Sequence, residues 1–225
     1  MKVYLIPGLG FDERMFRNLK LEKYDVETIN WIDPLKNETI QSYSKRLSSK
    51  IDSKESNTVL IGHSFGGIIC QEISSLISIK NTILISSIKD RKENPFHFKI
   101  MKPFRLYKLF SKELTANTIR YWGTKYDYVK KEEKDLVIDM VNKQSNNYLQ
   151  WALKQLSIWA KPENVTNNNL IQIHGEMDKT FPIDLIENPK YVVEGGGHFM
   201  TYNKSKRIGD IITKELILIN KGENH

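Results

Sequence analysis

The pentapeptide Gly62-His63-Ser64-Phe65-Gly66 has the residue types and spacing for nucleophilic chemistry. A serine hydroxyl is a weak nucleophile until it is exposed, oriented and relieved of its proton by a neighbour. A tight turn here would force Ser64 into a strained backbone conformation and lift its oxygen above a sheet edge. The flanking glycines lack the side chains that would clash where a strand meets a helix. Two later loops pair glycine with titratable groups: His174-Gly175-Glu176-Met177-Asp178 and Glu194-Gly195-Gly196-Gly197-His198. Cys70 shares a helical face with Gly66, Ile73 and Ile77 and has no separate histidine placed for it. It reads as a buried, inert thiol.

These loops need elements to hold them, and the apolar pattern supplies them. Val3 to Ile6, Asp25 to Asn30, Thr58 to Ile61 and Thr82 to Ile85 read as strands; the first, third and fourth are continuously apolar, as strands of a parallel sheet buried on both faces should be. Between them, Asp12 caps a short helix, Asn37 caps one carrying Ile40, Tyr43, Leu47 and Ile51, and a third runs from Phe65. Strand and helix alternate until Ser87. A mainly helical stretch follows, then strands at Leu170–Ile173 and Tyr191–Val193 and a closing helix with Ile208, Ile211, Ile212 and Leu216 inward. The expected class is α/β, with about six parallel strands flanked by helices and a helical insertion after the fourth strand.

Composition narrows the function classes. The 225 residues carry 34 Lys+Arg against 27 Asp+Glu, a net charge of +7, with 40% hydrophobic residues and a single cysteine. This excludes a disulfide framework and argues against disorder. The run Val3 to Ile6 stops at Pro7-Gly8, too short for a signal h-region, and no apolar stretch approaches the ~18 residues of a membrane span. A cytoplasmic protein without integral membrane association is expected. The excess charge sits between Lys89 and Glu163, with 16 basic and 9 acidic side chains. There, Lys99, Lys102, Arg105, Lys108 and Lys112 alternate with Ile100, Phe104, Leu106, Tyr107, Leu109 and Phe110. The plain reading is a solvated helix face whose apolar side covers a core; the alternatives are an acidic partner or an anionic membrane surface. Without a zinc spacing, an RNA-binding signature or a basic repeat, nucleic-acid binding is not expected.

The chain resembles the α/β-hydrolase family over nearly its whole length apart from the helical insertion. Gly62 to Gly66 is similar to that family's nucleophile elbow, His174 to Asp178 to its His-Gly-x-x-Asp acid loop, and Glu194 to His198 to its Gly-His loop. The resemblance implies Ser64 as nucleophile, Asp178 as acid and His198 as base, in the family's chain order. His63, His174, His97 and His225 are the rival histidines, and Glu176, Asp184 and Asp90 the rival acids. The three glycines before His198 would let the backbone swing its imidazole over Ser64. Acyl transfer also needs two donors for an oxyanion. By the resemblance these are the backbone amides of Leu9 and Phe65, although Pro7-Gly8 stands where many members have His-Gly.

The implied division is a core of residues 1–88 and 169–225 with a helical cap at 89–168. Phe96, Trp122, Trp151 and Trp159 are candidates to line a pocket beneath it. The implied activity is hydrolysis of a carboxylic ester or thioester of a small to medium acyl substrate through an acyl-enzyme, with no metal and no organic cofactor. One alternative is a C–C bond hydrolase or lyase using the same three residues; another is a non-catalytic ligand-binding module. A narrower hypothesis puts the substrate on an acidic carrier protein that meets the basic cap.

Overall fold

The six expected strands form: β1 (Lys2–Ile6), β2 (Asp25–Thr28), β3 (Thr58–His63), β4 (Asn81–Ile85), β5 (Leu170–Gly175) and β6 (Tyr191–Val193). In the computed structural model of the chain, residues 1–52, 57–123 and 130–222 are described, apart from the side chain of Trp122. All strands are parallel, in the order β2-β1-β3-β4-β5-β6. Every residue of β3 and β4 is buried, which is why neither shows polar alternation.

The register determines where the loops emerge. His63 pairs with Ile85, Ile85 with Ile173, and Gly175 with Val193. The carboxyl ends of β3 to β6 therefore lie along one rim. After β1 the chain moves outward to β2, whereas β3 begins the opposite march. The loops after β1 and β3 thus flank the point where the winding reverses, the place at which open α/β sheets receive ligands.

Helix α1 (Ile40–Ser48) begins at Thr39, whose side chain accepts from the Ser42 amide. The expected cap, Asn37, instead takes a positive φ of 58° in the preceding turn. Both types cap helices and both tolerate turns, so composition could not separate them. Helix α2 (Phe65–Ser74) is buried on every side from Phe65 to Ile73, because the sheet covers one face, α1 packs beside it, and Trp151 and Trp159 reach it from the segment between β4 and β5.

That insertion comprises α3 (Phe96–Lys99), α4 (Lys112–Trp122), α5 (Lys131–Asn142) and α6 (Asn146–Ile158). Val137, Met140, Tyr148, Leu149, Trp151 and Leu156 join the same continuous core as the strands. The basic stretch departs from expectation. It forms the four-residue α3 and a short 3-10 turn at Leu106–Leu109, and neither buries a residue. The chain closes with α7 (Met200–Asn203) and α8 (Ser205–Lys221). Helix α8 buries Ile208, Ile211, Ile212, Leu216 and Ile219, each contributing about 1.5–3 kcal/mol on removal from water. No described helix is long and apolar enough to cross a membrane.

Candidate active site

Ser64 joins β3 to α2 with φ 52° and ψ −122°. For a residue with a Cβ this backbone costs of order 1–3 kcal/mol, so the surroundings must hold it. The Ser64 amide donates to the Ile85 carbonyl at 2.9 Å. The Ser64 carbonyl accepts from the Gly67 amide at 2.9 Å and from the Ser87 hydroxyl at 2.7 Å. Space is equally tight. A Cβ on Gly62 would stand 2.5 Å from the Gly66 carbonyl carbon, and one on Gly66 would collide with the Ile6 carbonyl oxygen. The glycines of the pentapeptide are there for this close approach of strand and helix.

The elbow brings the Ser64 hydroxyl 3.0 Å from His198 Nε2. On the other side of the ring, His198 Nδ1 lies 2.9 Å from Asp178 Oδ2 and 3.1 Å from Oδ1. Asp178 Oδ1 also accepts from the amides of Thr180 at 2.8 Å and Phe181 at 2.9 Å. A carboxylate only accepts, so Nδ1 of His198 carries the proton and Nε2 of the neutral ring presents a lone pair to the hydroxyl. Ser64, Asp178 and His198 are all buried. Burial works to raise the Asp178 pKa, but the attraction between its carboxylate and a protonated His198, the His198 hydrogen bond and the Phe181 amide outweigh it and hold the carboxyl below its ordinary range.

Two further histidines brace this arrangement. His63 Nε2 donates to the His198 carbonyl oxygen at 2.7 Å, and the two rings lie 5.0 Å apart. His63 thereby ties down the backbone of His198. Complete burial pushes the His63 pKa down to about 3, so the ring stays neutral; its Nδ1 makes no hydrogen bond among the described residues. His174 Nε2 donates to the Phe181 carbonyl at 2.7 Å and sits 3.6 Å from Asp178 Oδ2. Burial lowers its pKa as well.

The rival residues do other things. Glu176 accepts from the Gly195 amide at 2.9 Å, Asp90 caps the turn at Arg91–Glu93, and Asp184 is exposed. His97 is exposed against Phe98, and His225 lies outside the described residues. Cys70 is buried and its thiol pKa is pushed far up by burial, in keeping with an inert role.

The two amides expected to face an oxyanion lie on either side of the winding reversal. Phe65 is the first residue of α2, where an amide has no intrahelical acceptor. The Leu9 amide makes no hydrogen bond among the described residues. The loop carrying Leu9 is pinned from behind, since the Gly8 carbonyl accepts from the Phe11 amide and from Trp31 Nε1, each at 3.0 Å.

The aromatic candidates separate. Trp151 is buried 6.1 Å from the Phe65 ring, with its Nε1 donating to the Glu38 carbonyl at 2.8 Å. Trp159 is buried against α2, its Nε1 bonded to Glu72 Oε1 at 2.8 Å, and Phe96 is 75% exposed. The Trp122 side chain lies outside the described residues. Sequence reasoning missed Trp31, 5.7 Å from Phe65 and 5.2 Å from Tyr148, and Phe181, 5.7 Å from His198. Trp31 follows the second strand and no local motif marks it. Phe181 lies three residues past Asp178, and that nearness was the available signal.

No family model matches the chain, and no curated protein matches its sequence. Solved structures do. MenH from S. aureus superposes with a TM-score of 0.73 at 18% identity, covering 98% of this chain and 94% of that one. An esterase from Exiguobacterium antarcticum gives 0.73 at 13% identity over 96% and 91%. A malate-bound thermophilic esterase from Thermogutta terrifontis gives 0.71 at 13% identity over 97% and 90%. The architecture resembled in the sequence is therefore the one adopted: this chain has the α/β-hydrolase fold.

Proposed function

We propose that this chain is a serine hydrolase that cleaves a carboxylic ester or thioester of a small to medium acyl substrate through an acyl-enzyme on Ser64. The observation that carries this reading is the unbroken relay from Ser64 Oγ to His198 Nε2 and from His198 Nδ1 to Asp178. Ser64 Oγ attacks the acyl carbon as its proton passes to Nε2. Asp178 holds the ring in the required tautomer and stabilises its charged form. The Leu9 and Phe65 amides receive the oxyanion. As the tetrahedral intermediate collapses, the bond from acyl carbon to leaving oxygen or sulfur breaks, and the proton on Nε2 goes to that leaving group. Water then attacks the acyl carbon with Nε2 again accepting the proton, the Ser64 oxygen leaves and is reprotonated, and the free acid departs.

Burial of the relay supports this reading, because charge interactions in a site shielded from water are stronger than in bulk. The esterases among the structural neighbours support it by analogy of fold. In this reading residues 89–168 form the cap, with Trp151 of α6 and Trp31 beside Phe65 at the acyl end. The test is an ester and thioester panel graded by acyl length, run with the wild type and Ser64→Ala. Turnover confined to the wild type and varying with acyl length is expected. Absence of turnover on every member would overturn ester chemistry and favour a C–C bond hydrolase or lyase.

A further inference from the structure

Residues 96–112 contain no buried residue. They also contain no Asp or Glu, while Lys99, Lys102, Arg105 and Lys108 recur at every third position and Lys112 follows. Backbone bonds from the Arg105 amide to the Lys102 carbonyl, 3.0 Å, and from the Lys108 amide to the Arg105 carbonyl, 3.1 Å, hold successive cations one tight turn apart. Pro103 and Phe104 occupy the central positions of the turn from Lys102 to Arg105, and Arg105 adopts a left-handed φ of 55°. This places Phe104 at the head of a turn flanked by two cations. Phe104 is 70% exposed and Leu109 69%. The side chains of Lys102, Arg105 and Lys108 make no ion pair among the described residues.

Large apolar side chains held singly in water between unpaired cations suit a surface that accepts each kind at a different depth. An acidic protein would satisfy the cations but would need a matched pocket for each apolar side chain. A lipid interface needs no such pocket, since its phosphates meet the cations while the boundary beneath takes up the aromatic and aliphatic groups. We propose that this edge of the molecule docks on an anionic phospholipid membrane, with Phe104 and Leu109 entering the interface and Lys102, Arg105 and Lys108 contacting lipid phosphates. Docking of this kind does not depend on the chemistry proposed for Ser64.

The test is flotation of the full chain with vesicles of phosphatidylcholine alone or mixed with phosphatidylserine. Binding to the mixed vesicles only, weakening as salt rises, is expected, and Ser64→Ala should bind as the wild type does. Reversing Lys102, Arg105 and Lys108 to Glu should weaken partitioning by at least about tenfold. The pair Phe104→Ser and Leu109→Ser, which leaves the charge unchanged, should weaken it by at least about fivefold. Because these side chains are exposed, all variants should keep the wild-type unfolding midpoint and the wild-type rate on a water-soluble substrate. No binding to phosphatidylserine vesicles, or binding indifferent to either set of substitutions, would overturn the proposal. Loss on charge reversal alone would also overturn it, and would point to an acidic protein partner instead.

Discussion

The rim of the sheet and the basic edge of the helical insertion are opposite solutions to exposing polar groups. At the rim, Asp178 accepts from two amides as well as from His198, and the Ser64 carbonyl has two donors. Each residue is fixed by several bonds, some local, from Thr180, Phe181 and Gly67, and some from the distant residues His198 and Ser87. Along residues 96–112 nothing is buried, and Lys102, Arg105 and Lys108 make no ion pair among the described residues. The rim is over-determined, as a site must be to hold strained groups ready. The edge has few internal constraints, so its composition can answer to something outside the molecule. Substitutions should therefore be costly at the first region and nearly silent for stability at the second.

The sharpest break should come at Asp178. Asp178→Asn would leave the geometry but remove the acceptor that fixes the His198 tautomer, and should lower kcat by roughly 10⁴-fold. A loss below about tenfold would give the acid role to another group. Next in size, Gly66→Ala drives a methyl into the backbone carbonyls of Ile6 and Pro7. Urea titration should show a loss of about 3 kcal/mol or more.

A third contrast concerns pH. His63 takes up its proton only near pH 3 in the folded chain against an ordinary value of 6.5. The unfolded chain then binds more protons, so this residue makes stability fall as pH drops from 6.5 towards 3, by up to about 1.4 kcal/mol per pH unit. His174 acts in the same direction. His63→Gln keeps a donor for the His198 carbonyl and should make the acid limb of a stability–pH curve shallower. An unchanged slope would mean that His63 is not held neutral. Smallest of all, Phe104→Ala or Lys102→Glu should move unfolding free energy by no more than about 0.5 kcal/mol. A larger loss at either position would erase the distinction between the two regions.

What the sequence revealed follows the same division. The strands were legible because burial on both faces leaves unbroken apolar runs such as Val59 to Ile61 and Ile83 to Ile85. The candidate site was legible where its geometry is local: a serine between glycines, and a histidine after three of them. Trp31, Tyr148 and the bond from His63 to the His198 carbonyl were not legible, since each depends on segments meeting through tertiary packing. The basic edge misled for the opposite reason. Its alternation of apolar and cationic residues imitates an amphipathic helix, yet Pro103 and the left-handed Arg105 break it into turns. No buried face forms.

The proposed chemistry depends on activation of the Ser64 hydroxyl through His198. It is tested most directly by exposing the wild type and Ser64→Ala to a fluorophosphonate and reading intact and peptide masses. One adduct per wild-type chain, on the peptide carrying Ser64 and absent from the variant, is the result expected. Labelling that persists in Ser64→Ala, or a wild type that takes up no label at Ser64, would contradict it.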